Sequence, residues 1–178
     1  MNSDARKLES EIARLEKLAY YDELTGALNR RGFIREVRRR FDPLPRRKSI
    51  KERRILSFVV MFVDVDDFKS INDTYGHKTG DKTLKRVVKA MRAGIRKTDI
   101  LARWGGDEFV IVLFDATPSV AVNVVDKVKS KFKQITFKKK EKITASMGFV
   151  SSRKYTDLPT MITMADKAMC RVKANRRP

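Results

Sequence analysis

Two apolar segments separated by a Gly-Gly-Asp-Glu tetrapeptide constrain the fold of this chain most strongly. The apolar segments are residues 100–102 and 109–114, and the tetrapeptide is residues 105–108. Glycine reaches positive φ without a Cβ clash, so this pattern predicts a β-hairpin with the glycines at its turn. The missing side chains would also let a bulky anion approach the backbone. Asp107 and Glu108 would then lie at the tip as oxygen ligands of the kind that Mg²⁺ prefers; a tight turn with two solvated acids is the alternative.

The composition fits one globular domain with a short appendage. The chain has 178 residues, of which 42% are hydrophobic and 35% charged, and no apolar run approaches the ~20 residues that a membrane-spanning helix needs. The N-terminus lacks the apolar stretch of a secretory signal. Cys170 is the single cysteine, so a cytoplasmic location is expected, and Cys170 itself is expected to be a small buried residue.

The net charge of +19, from 41 Lys and Arg against 22 Asp and Glu, raises the local concentration of polyanions. Nucleic acid, an anionic membrane surface and nucleoside triphosphates are all candidate partners. The densest basic run, residues 35–54, contains Pro43 and Pro45 and has few aromatic side chains. A solvated basic surface is therefore favoured there over a nucleic-acid site.

Residues 1–20 are expected to form a separate N-terminal helix. Leu8, Ile12, Leu15 and Ala19 follow spacings of four and three, which is typical of an amphipathic or coiled-coil helix. The pattern spans little more than two heptads, so the helix would be marginal alone. A dimerising or signal-relaying role and packing against its own domain both remain open.

The rest of the chain predicts an α/β domain of layered type. The apolar run 55–63 favours a strand buried on both faces, which places Asp64 at the strand's C-terminal end, where α/β sheets commonly bind ligands. A further strand is predicted at 143–150, and helices at 30–41, 68–75, 81–95, 118–132 and 159–175. Thr117 and Pro118 are expected to begin the fourth of these helices. This order predicts a mainly antiparallel central sheet with helices on its faces.

If the hairpin tip lies beside the end of the first strand, three carboxylates converge: Asp64, Asp107 and Glu108. Carboxylates this close repel one another unless a cation neutralises them. Two divalent metal ions about 4 Å apart can activate a hydroxyl and stabilise a leaving group in nucleotidyl transfer. The pattern therefore indicates a metal-dependent phosphoryl or nucleotidyl transfer site.

A phosphate seat and a base-recognition pair follow the first strand. The backbone amides of Asp67, Phe68 and Lys69 begin a helix, which suits a phosphate, and the Lys69 side chain can point back at the metal centre. Asp81 could accept hydrogen bonds from the N1–H and N2–H₂ edge of guanine, which adenine lacks, and Asn72 adds a donor and an acceptor. Taken singly, an N-cap role for Asp81 and a surface position for Asn72 are the alternatives.

Together these motifs resemble the GGDEF family, the diguanylate cyclases, from about residue 22 to residue 177. Several blocks match in the family's order, which is more specific than any single block. The matching blocks are Asp22-Glu23-Leu24-Thr25-Gly26, Asn29-Arg30-Arg31, Asp64-Val65-Asp66 with Phe68-Lys69, Asn72-Asp73, Gly76-His77, Gly80-Asp81, Arg103 with Gly105-Gly106-Asp107-Glu108-Phe109, Ser146-Met147-Gly148, and Ala165-Asp166 with Ala168 and Lys173. The resemblance implies a palm-like nucleotidyl-cyclase domain, the GGDEF catalytic domain, over residues 21–178.

The resemblance also implies the reaction: two GTP molecules become cyclic di-GMP and two pyrophosphates across a homodimer. Two Mg²⁺ or Mn²⁺ ions per active site would be held by Asp64, the Val65 carbonyl, Asp107 and Glu108. The implied catalytic residues are Asp107, Glu108 and Lys69. The implied substrate-binding residues are Asp67, Phe68, Lys69, Asn72, His77, Asp81, Gly105, Gly106, Lys173 and Arg177. Related cyclases that make a mixed cyclic GMP-AMP have a smaller polar residue at the Asp81 position, so the resemblance favours guanine in both halves.

Arg96 and Asp99 match the family's RxxD product-inhibition site in pattern and in offset from the hairpin glycines. An arginine can bind guanine or phosphate, and an aspartate can accept from the guanine edge. One departure is Arg176, which stands where the family usually has glycine. An upstream sensor domain or protein is implied as a partner. A non-catalytic domain that senses GTP or cyclic di-GMP, and a nucleic-acid-binding protein, are the other functions left open.

Overall fold

The computed structural model describes residues 3–41, 57–135, 142–154 and 157–176. Arg177 and most of the basic run at 35–54 lie outside these residues. The helices and strands are α1 Ser3–Tyr20, α2 Arg30–Phe41, β1 Phe58–Val65, α3 Phe68–Tyr75, α4 His77–Gly94, β2 Ile100–Gly105, β3 Glu108–Phe114, α5 Pro118–Phe132, β4 Ala145–Ser151 and α6 Leu158–Ala174. Within the described ranges, no helix is both long and apolar enough to cross a bilayer.

The four strands form one antiparallel sheet in the order β2-β3-β1-β4. This confirms the predicted fold class, with β1 in the interior and buried from Val59 to Val65. The strand runs two residues past the predicted end, so Asp64 lies within β1 rather than after it. Asp64 is therefore held between β3 and β4, opposite Glu108 on one side and Ser146 on the other.

Helices cover both faces of the sheet, and alternate residues of β1 contact each layer. Val59 and Met61 belong to the core under α3, α4 and α5. Val60 and Phe62 belong to the core under α2 and α6. Fully burying a side chain of this kind stabilises the fold by roughly 1.5–3 kcal/mol. The result is a three-layer α/β/α domain. The end of β1 and the start of β3 lie side by side between the two helix layers.

Two local expectations are wrong. The helix predicted from Asp81 begins at His77, because Gly76 adopts φ 79° and lets α4 follow α3 directly. Asp81 thus lies inside α4 and is not its N-cap. Cys170 is exposed rather than buried, because the inward face of α6 is occupied instead by Met169 and its neighbours on the same stripe.

The position of α6 depends on a close contact with β4. A Cβ on Gly148 would lie 2.0 Å from the Met169 amide nitrogen, so only glycine lets the helix backbone come this near. The start of α5 is as predicted, with Thr117 Oγ1 accepting the Val120 N–H at 3.4 Å. The seat of α6 on β4 fixes where its last turn, which carries Lys173, meets the sheet.

The predicted N-terminal helix is present as α1, and its apolar stripe is exposed. Leu8, Ile12 and Leu15 are 63%, 50% and 51% exposed. Contacts with the domain are found at the C-terminal end of α1, where Glu16 pairs with Arg35 at 2.8 Å. The greater part of the stripe therefore faces away from the domain.

Candidate active site

The end of β1 and the start of β3 bring the predicted acids together. Asp64 and Glu108 are directly opposite each other in the antiparallel register, and the Val65 N–H donates to the Asp107 carbonyl oxygen at 3.2 Å. Directly opposite residues have Cβ atoms about 5 Å apart on one face of a sheet. The fold thus supplies the juxtaposition that the proposed chemistry requires.

Burial, and to a smaller extent the proximity of the other acids, raises the pKa of two of these carboxyl groups. Burial raises the pKa of Asp64; the Lys173 ammonium opposes this, and the charge of Asp107 adds to it. Burial also raises the pKa of Glu108, with further contributions from the charges of Asp64 and Asp107. A bound cation would relieve the electrostatic cost at both carboxylates.

Two cations near the end of α6 pair with acids at the end of β1. Lys173 Nζ lies 2.7 Å from Asp64 Oδ1, and Arg176 pairs with Asp66. Asp66 also accepts the Ser146 hydroxyl at 2.7 Å, which fastens the residues after β1 to β4. No role of its own was predicted for Asp66, although its place two residues after Asp64 was an available signal.

The oxygen atoms at the end of β1 and the start of β3 are of the kind that binds a divalent cation, but the described side chains do not form a metal-binding cluster. Carboxylate and carbonyl oxygens are the ligands that Mg²⁺ prefers, and burial together with neighbouring carboxylates raises the pKa of both Asp64 and Glu108. In the part of the chain that the structure describes, no three His, Cys, Asp or Glu side chains are close enough to hold a metal ion. Asp64 is paired with Lys173 instead.

The hairpin turn has the space for a ligand that the absence of glycine side chains predicts, but its backbone conformation is not the predicted one. Neither Gly105 nor Gly106 has positive φ, so the expectation of a left-handed glycine turn is wrong. The strands adjust instead through a register shift between Arg103 and Gly105. A Cβ on Gly106 would meet no atom within 4 Å, and one on Gly105 would lie 3.4 Å from Glu108 Oε2. This space is consistent with the approach of an anion to the backbone.

The start of α3 has features of a phosphate seat. Asp67 precedes the helix in a left-handed conformation, with φ 53°, and its side chain makes no cap hydrogen bond. Phe68 is buried and anchors the first turn, whereas Asp67 and Lys69 are exposed. The positive end of the helix dipole favours an anion at such a terminus. The substrate roles of these three residues remain predictions.

The proposed guanine-reading residues lie on two helices in contact. A Cβ on Gly80 would lie 1.9 Å from Asn72 Oδ1, so the absence of that atom lets the Asn72 amide lie against α4. Asp81 follows Gly80 directly and is exposed, as is His77 at the start of the helix. The α3–α4 junction therefore places the Asn72 amide against Gly80, the residue before Asp81.

Arg103 connects the hairpin turn to the residues that follow α1, a role that sequence analysis missed. Its Nε donates to the Gly106 carbonyl at 2.9 Å, and its Nη1 donates to both Asp22 carboxylate oxygens at 3.1 and 3.0 Å. Burial raises the pKa of Asp22, but hydrogen bonds from Thr25 and Arg103 outweigh it and hold that pKa below its usual value. The position of Arg103 two residues before the glycines was the available signal.

The RxxD residues lie at the opposite end of the sheet, beside a cleft of about 600 Å³. Asp99 is buried, and its two oxygens accept the backbone N–H groups of Arg96 at 2.8 Å and of Phe114 at 3.2 Å. Arg96 lines the cleft together with Lys127 and Lys131 of α5. Neither lysine was predicted to belong to this site, although their i,i+4 spacing on the predicted helix was an available signal.

Comparison with known proteins shows the family of this chain. Residues 19–178 match the family model described as "Diguanylate cyclase, GGDEF domain", so the chain belongs to the GGDEF family. Diguanylate cyclase DosC of Escherichia coli K12 is 32% identical over 168 residues, which cover 92% of this chain and 35% of DosC. The chain therefore spans about a third of the length of this curated relative.

Two solved structures illustrate the structural similarity. A microbial GGDEF domain studied with cyclic di-GMP is 30% identical, with a TM-score of 0.75, and the match covers 91% of this chain and 95% of that one. The coiled coil and GGDEF domain of DgcB from Caulobacter crescentus, in complex with cyclic di-GMP, has a TM-score of 0.85 at 23% identity, covering 98% and 91%. The second comparison supports the fold alone.

Proposed function

We propose that this domain is a diguanylate cyclase that condenses two GTP molecules into cyclic di-GMP and two pyrophosphates. The 3′-hydroxyl of each GTP attacks the α-phosphorus of the other, the bond to the β-phosphate breaks, and each hydroxyl gives up one proton as pyrophosphate leaves. The observation that carries this proposal is the pairing of Asp64 with Glu108 beside the open turn at Gly106. Membership of the GGDEF family supports the same activity.

Divalent cations, two Mg²⁺ or Mn²⁺ per site in our proposal, would be held by Asp64, the Val65 carbonyl, Asp107 and Glu108. Such ions, when bound, neutralise phosphate charge and activate a hydroxyl. Glu108 is also suited to accept the proton of the attacking hydroxyl, because burial and neighbouring acids raise its pKa toward the range of a general base.

The substrate is proposed to lie between the hairpin turn and the α3–α4 pair. Lys69 and Lys173 would stabilise charge on the phosphates, while the glycines of the turn leave room for them. Asn72 and Asp81 would read the guanine edge, and adenine would leave the carboxylate without a donor. Purified protein given equal GTP and ATP should therefore make cyclic di-GMP in excess over the mixed product. An excess of mixed product would contradict the role given to Asp81.

Ring closure needs two facing GTP sites, so the active species is proposed to be a homodimer. The exposed stripe of α1, with Leu8 at 63% and Leu15 at 51% exposure, supports α1 as a dimerising helix that also receives an upstream signal. The rate per subunit should then rise with protein concentration. A constant rate per subunit from dilute to concentrated samples would contradict the dimer.

The cleft beside Arg96 is proposed to bind cyclic di-GMP and inhibit the enzyme. Arg96, Lys127 and Lys131 bring three positive charges to its lining, which suits a dianionic product. Because both Asp99 oxygens already accept a backbone N–H, a guanine edge would use their remaining lone pairs.

The direct test is incubation with GTP and Mg²⁺ and identification of the product by mass spectrometry. Wild-type protein should yield cyclic di-GMP and pyrophosphate in a one-to-two ratio, and Asp107→Asn should yield neither above background. Binding of GTP by the wild type without turnover at any protein concentration would overturn the proposal in favour of a sensing domain.

A further inference from the structure

The ammonium group of Lys173 forms an ion pair with Asp64, the carboxylate that is proposed to bind a divalent cation. Lys173 Nζ lies 2.7 Å from Asp64 Oδ1, and the two side chains are 36% and 10% exposed respectively. Among the residues that the structure describes, Lys173 is the one cation that forms an ion pair with Asp64. A divalent cation that uses Asp64 as a ligand must therefore displace this ammonium or share the carboxylate with it.

The two members of this pair differ in how freely they can move. Asp64 lies within β1, paired with Glu108 on β3 and Ser146 on β4, so its backbone is fixed on both sides. Lys173 lies in the last turn of α6, and its ammonium is carried on a flexible four-carbon stem. Any exchange of partners thus moves the lysine and leaves the acid in place.

The neighbouring ion pair, Asp66 with Arg176, differs from the pair of Asp64 with Lys173 in what remains when the cation leaves. Asp66 pairs with Arg176 but also accepts two hydroxyl hydrogen bonds, at 2.6 and 2.7 Å. Loss of the arginine would leave Asp66 hydrogen-bonded. Loss of Lys173 would leave Asp64 beside the charges of Asp107 and Glu108, so Asp64 is the acid that needs a replacement cation.

We propose that Lys173 makes divalent-metal binding at Asp64 conditional on a bound polyphosphate. In the unliganded protein Lys173 neutralises Asp64 and competes with the metal ion. A triphosphate at the hairpin turn offers Lys173 a second anionic partner, the lysine transfers to it, and Asp64 becomes available to the cation. This inference rests on the proposed function, because it assumes that metal and nucleotide share this site.

Transfer of one lysine between two partners couples the two ligands. By thermodynamic reciprocity, nucleotide must strengthen metal binding by the same factor as metal strengthens nucleotide binding. Removing the lysine should have opposite effects on the two ligands taken separately: the metal ion loses a competitor, and the nucleotide loses a cation. A residue with a merely structural role would weaken both or neither.

The test is Mn²⁺ binding without nucleotide, measured from the electron paramagnetic resonance signal of free Mn²⁺. Lys173→Met should bind Mn²⁺ about three- to fivefold more tightly than wild type, the upper end of the effect expected for loss of one partly exposed ion-pair competitor. The same variant should bind metal-free guanosine 5′-[α,β-methylene]triphosphate more weakly by a similar factor. Lys173→Arg, which keeps the positive charge, should stay within about twofold of wild type for Mn²⁺.

Lys167→Met is the matched control, because Lys167 is an exposed lysine on the same helix and its removal changes the net charge equally. It should leave both affinities within about twofold, as expected for a solvent-screened charge. Unchanged or weaker Mn²⁺ binding by Lys173→Met, or an equal gain in Lys167→Met, would overturn the exchange. The titration involves no turnover, so a wild type that makes no cyclic di-GMP would count against the proposed cyclase and not against the exchange.

Discussion

Asp64 and Asp99 are both buried acids, 7% and 5% exposed, yet they are held in different ways at opposite ends of the sheet. Asp99 accepts two backbone N–H groups, from Arg96 in the turn before β2 and from Phe114 at the end of β3, and neither donor can leave without a change in the backbone. Asp64 pairs with a flexible lysine at the end of α6. A carboxylate satisfied by backbone donors belongs to the fold, whereas one satisfied by a movable side chain can change partners. The difference separates an acid that the fold holds in place from an acid that is free to change partners, at similar burial.

The largest expected effect is on turnover by Asp64→Asn. The variant removes a proposed metal ligand, so cyclic di-GMP formation should fall by about 10³-fold or more, since metal ions contribute several kcal/mol to such reactions. Stability should change by less than about 1 kcal/mol, because the lost ion pair is offset by relief of repulsion among the acids. Initial rates measure the loss of activity, and thermal denaturation measures the change in stability. An Asp64→Asn variant that keeps its activity, or that unfolds as readily as an Asp99 variant, would contradict the distinction drawn between Asp64 and Asp99.

Asp99→Ala should show the reverse pattern, a loss of stability of about 2–3 kcal/mol, because two buried N–H groups lose their acceptor. Asp99→Asn keeps one acceptor oxygen and should lose roughly half as much. Arg96→Ala is the control: it keeps the backbone N–H that Asp99 accepts, so its stability should stay within about 0.5 kcal/mol of wild type while calorimetry shows weaker cyclic di-GMP binding. Equal stability of all three variants would show that Asp99 is not a structural acid.

The Asn72 side chain is held in a third way, by packing against Gly80 of α4. In Gly80→Ala the new Cβ would lie 1.9 Å from Asn72 Oδ1, so the amide must move. Stability should change little, since the ~1 kcal/mol gain in helix propensity opposes the cost of overpacking. We expect the KM for GTP to rise about fivefold, because one hydrogen bond to the base is lost. Steady-state kinetics with GTP measures this.

Gly94→Ala is the matched control for Gly80→Ala. It places a Cβ 2.7 Å from the Val128 side chain, at the far end of the same helix, in the lining of the proposed product cleft and away from the proposed substrate site. Initial rates are therefore measured before cyclic di-GMP accumulates. Its KM should match that of wild type. A similar rise in KM for both variants would mean that the effect comes from α4 as a whole and not from Asn72.

The strands of this domain were predictable from the sequence, whereas the ion pairs between distant side chains were not. The apolar run before Asp64 and the paired runs around the glycines predicted the strands that bring Asp64 opposite Glu108, because hydrophobic periodicity is local in sequence. The start of α4 at His77 was missed, because the turn at Gly76 leaves no linker between the helices. The pairs Lys173–Asp64 and Arg103–Asp22 were also missed. They join distant segments, and only the tertiary fold decides which charges meet.

The smallest expected effect, and the one of opposite sign, is a gain in stability from Glu108→Gln. Burial and the charges of Asp64 and Asp107 raise the pKa of Glu108, so the native state binds this proton more tightly than the unfolded chain does. The metal-free protein therefore loses stability as pH rises from the ordinary glutamate range through the raised pKa, and above it the penalty is complete. Glutamine removes the penalty, which solvent screening of this partly exposed carboxylate keeps small, so the variant should be more stable by at most about 0.5 kcal/mol at neutral pH, with cyclase activity lost.

Thermal denaturation in EDTA across this pH range measures the effect, and Glu23→Gln, at an exposed position, is the control. The advantage of Glu108→Gln should shrink as pH falls toward the usual glutamate pKa, because the wild-type carboxyl is then protonated in both states. An advantage that grows on acidification, or a variant less stable than wild type at neutral pH, would mean that the Glu108 carboxylate is stabilised by its surroundings. The end of β1 would then resemble Asp99, an acid already satisfied by the fold and with no need of a cation.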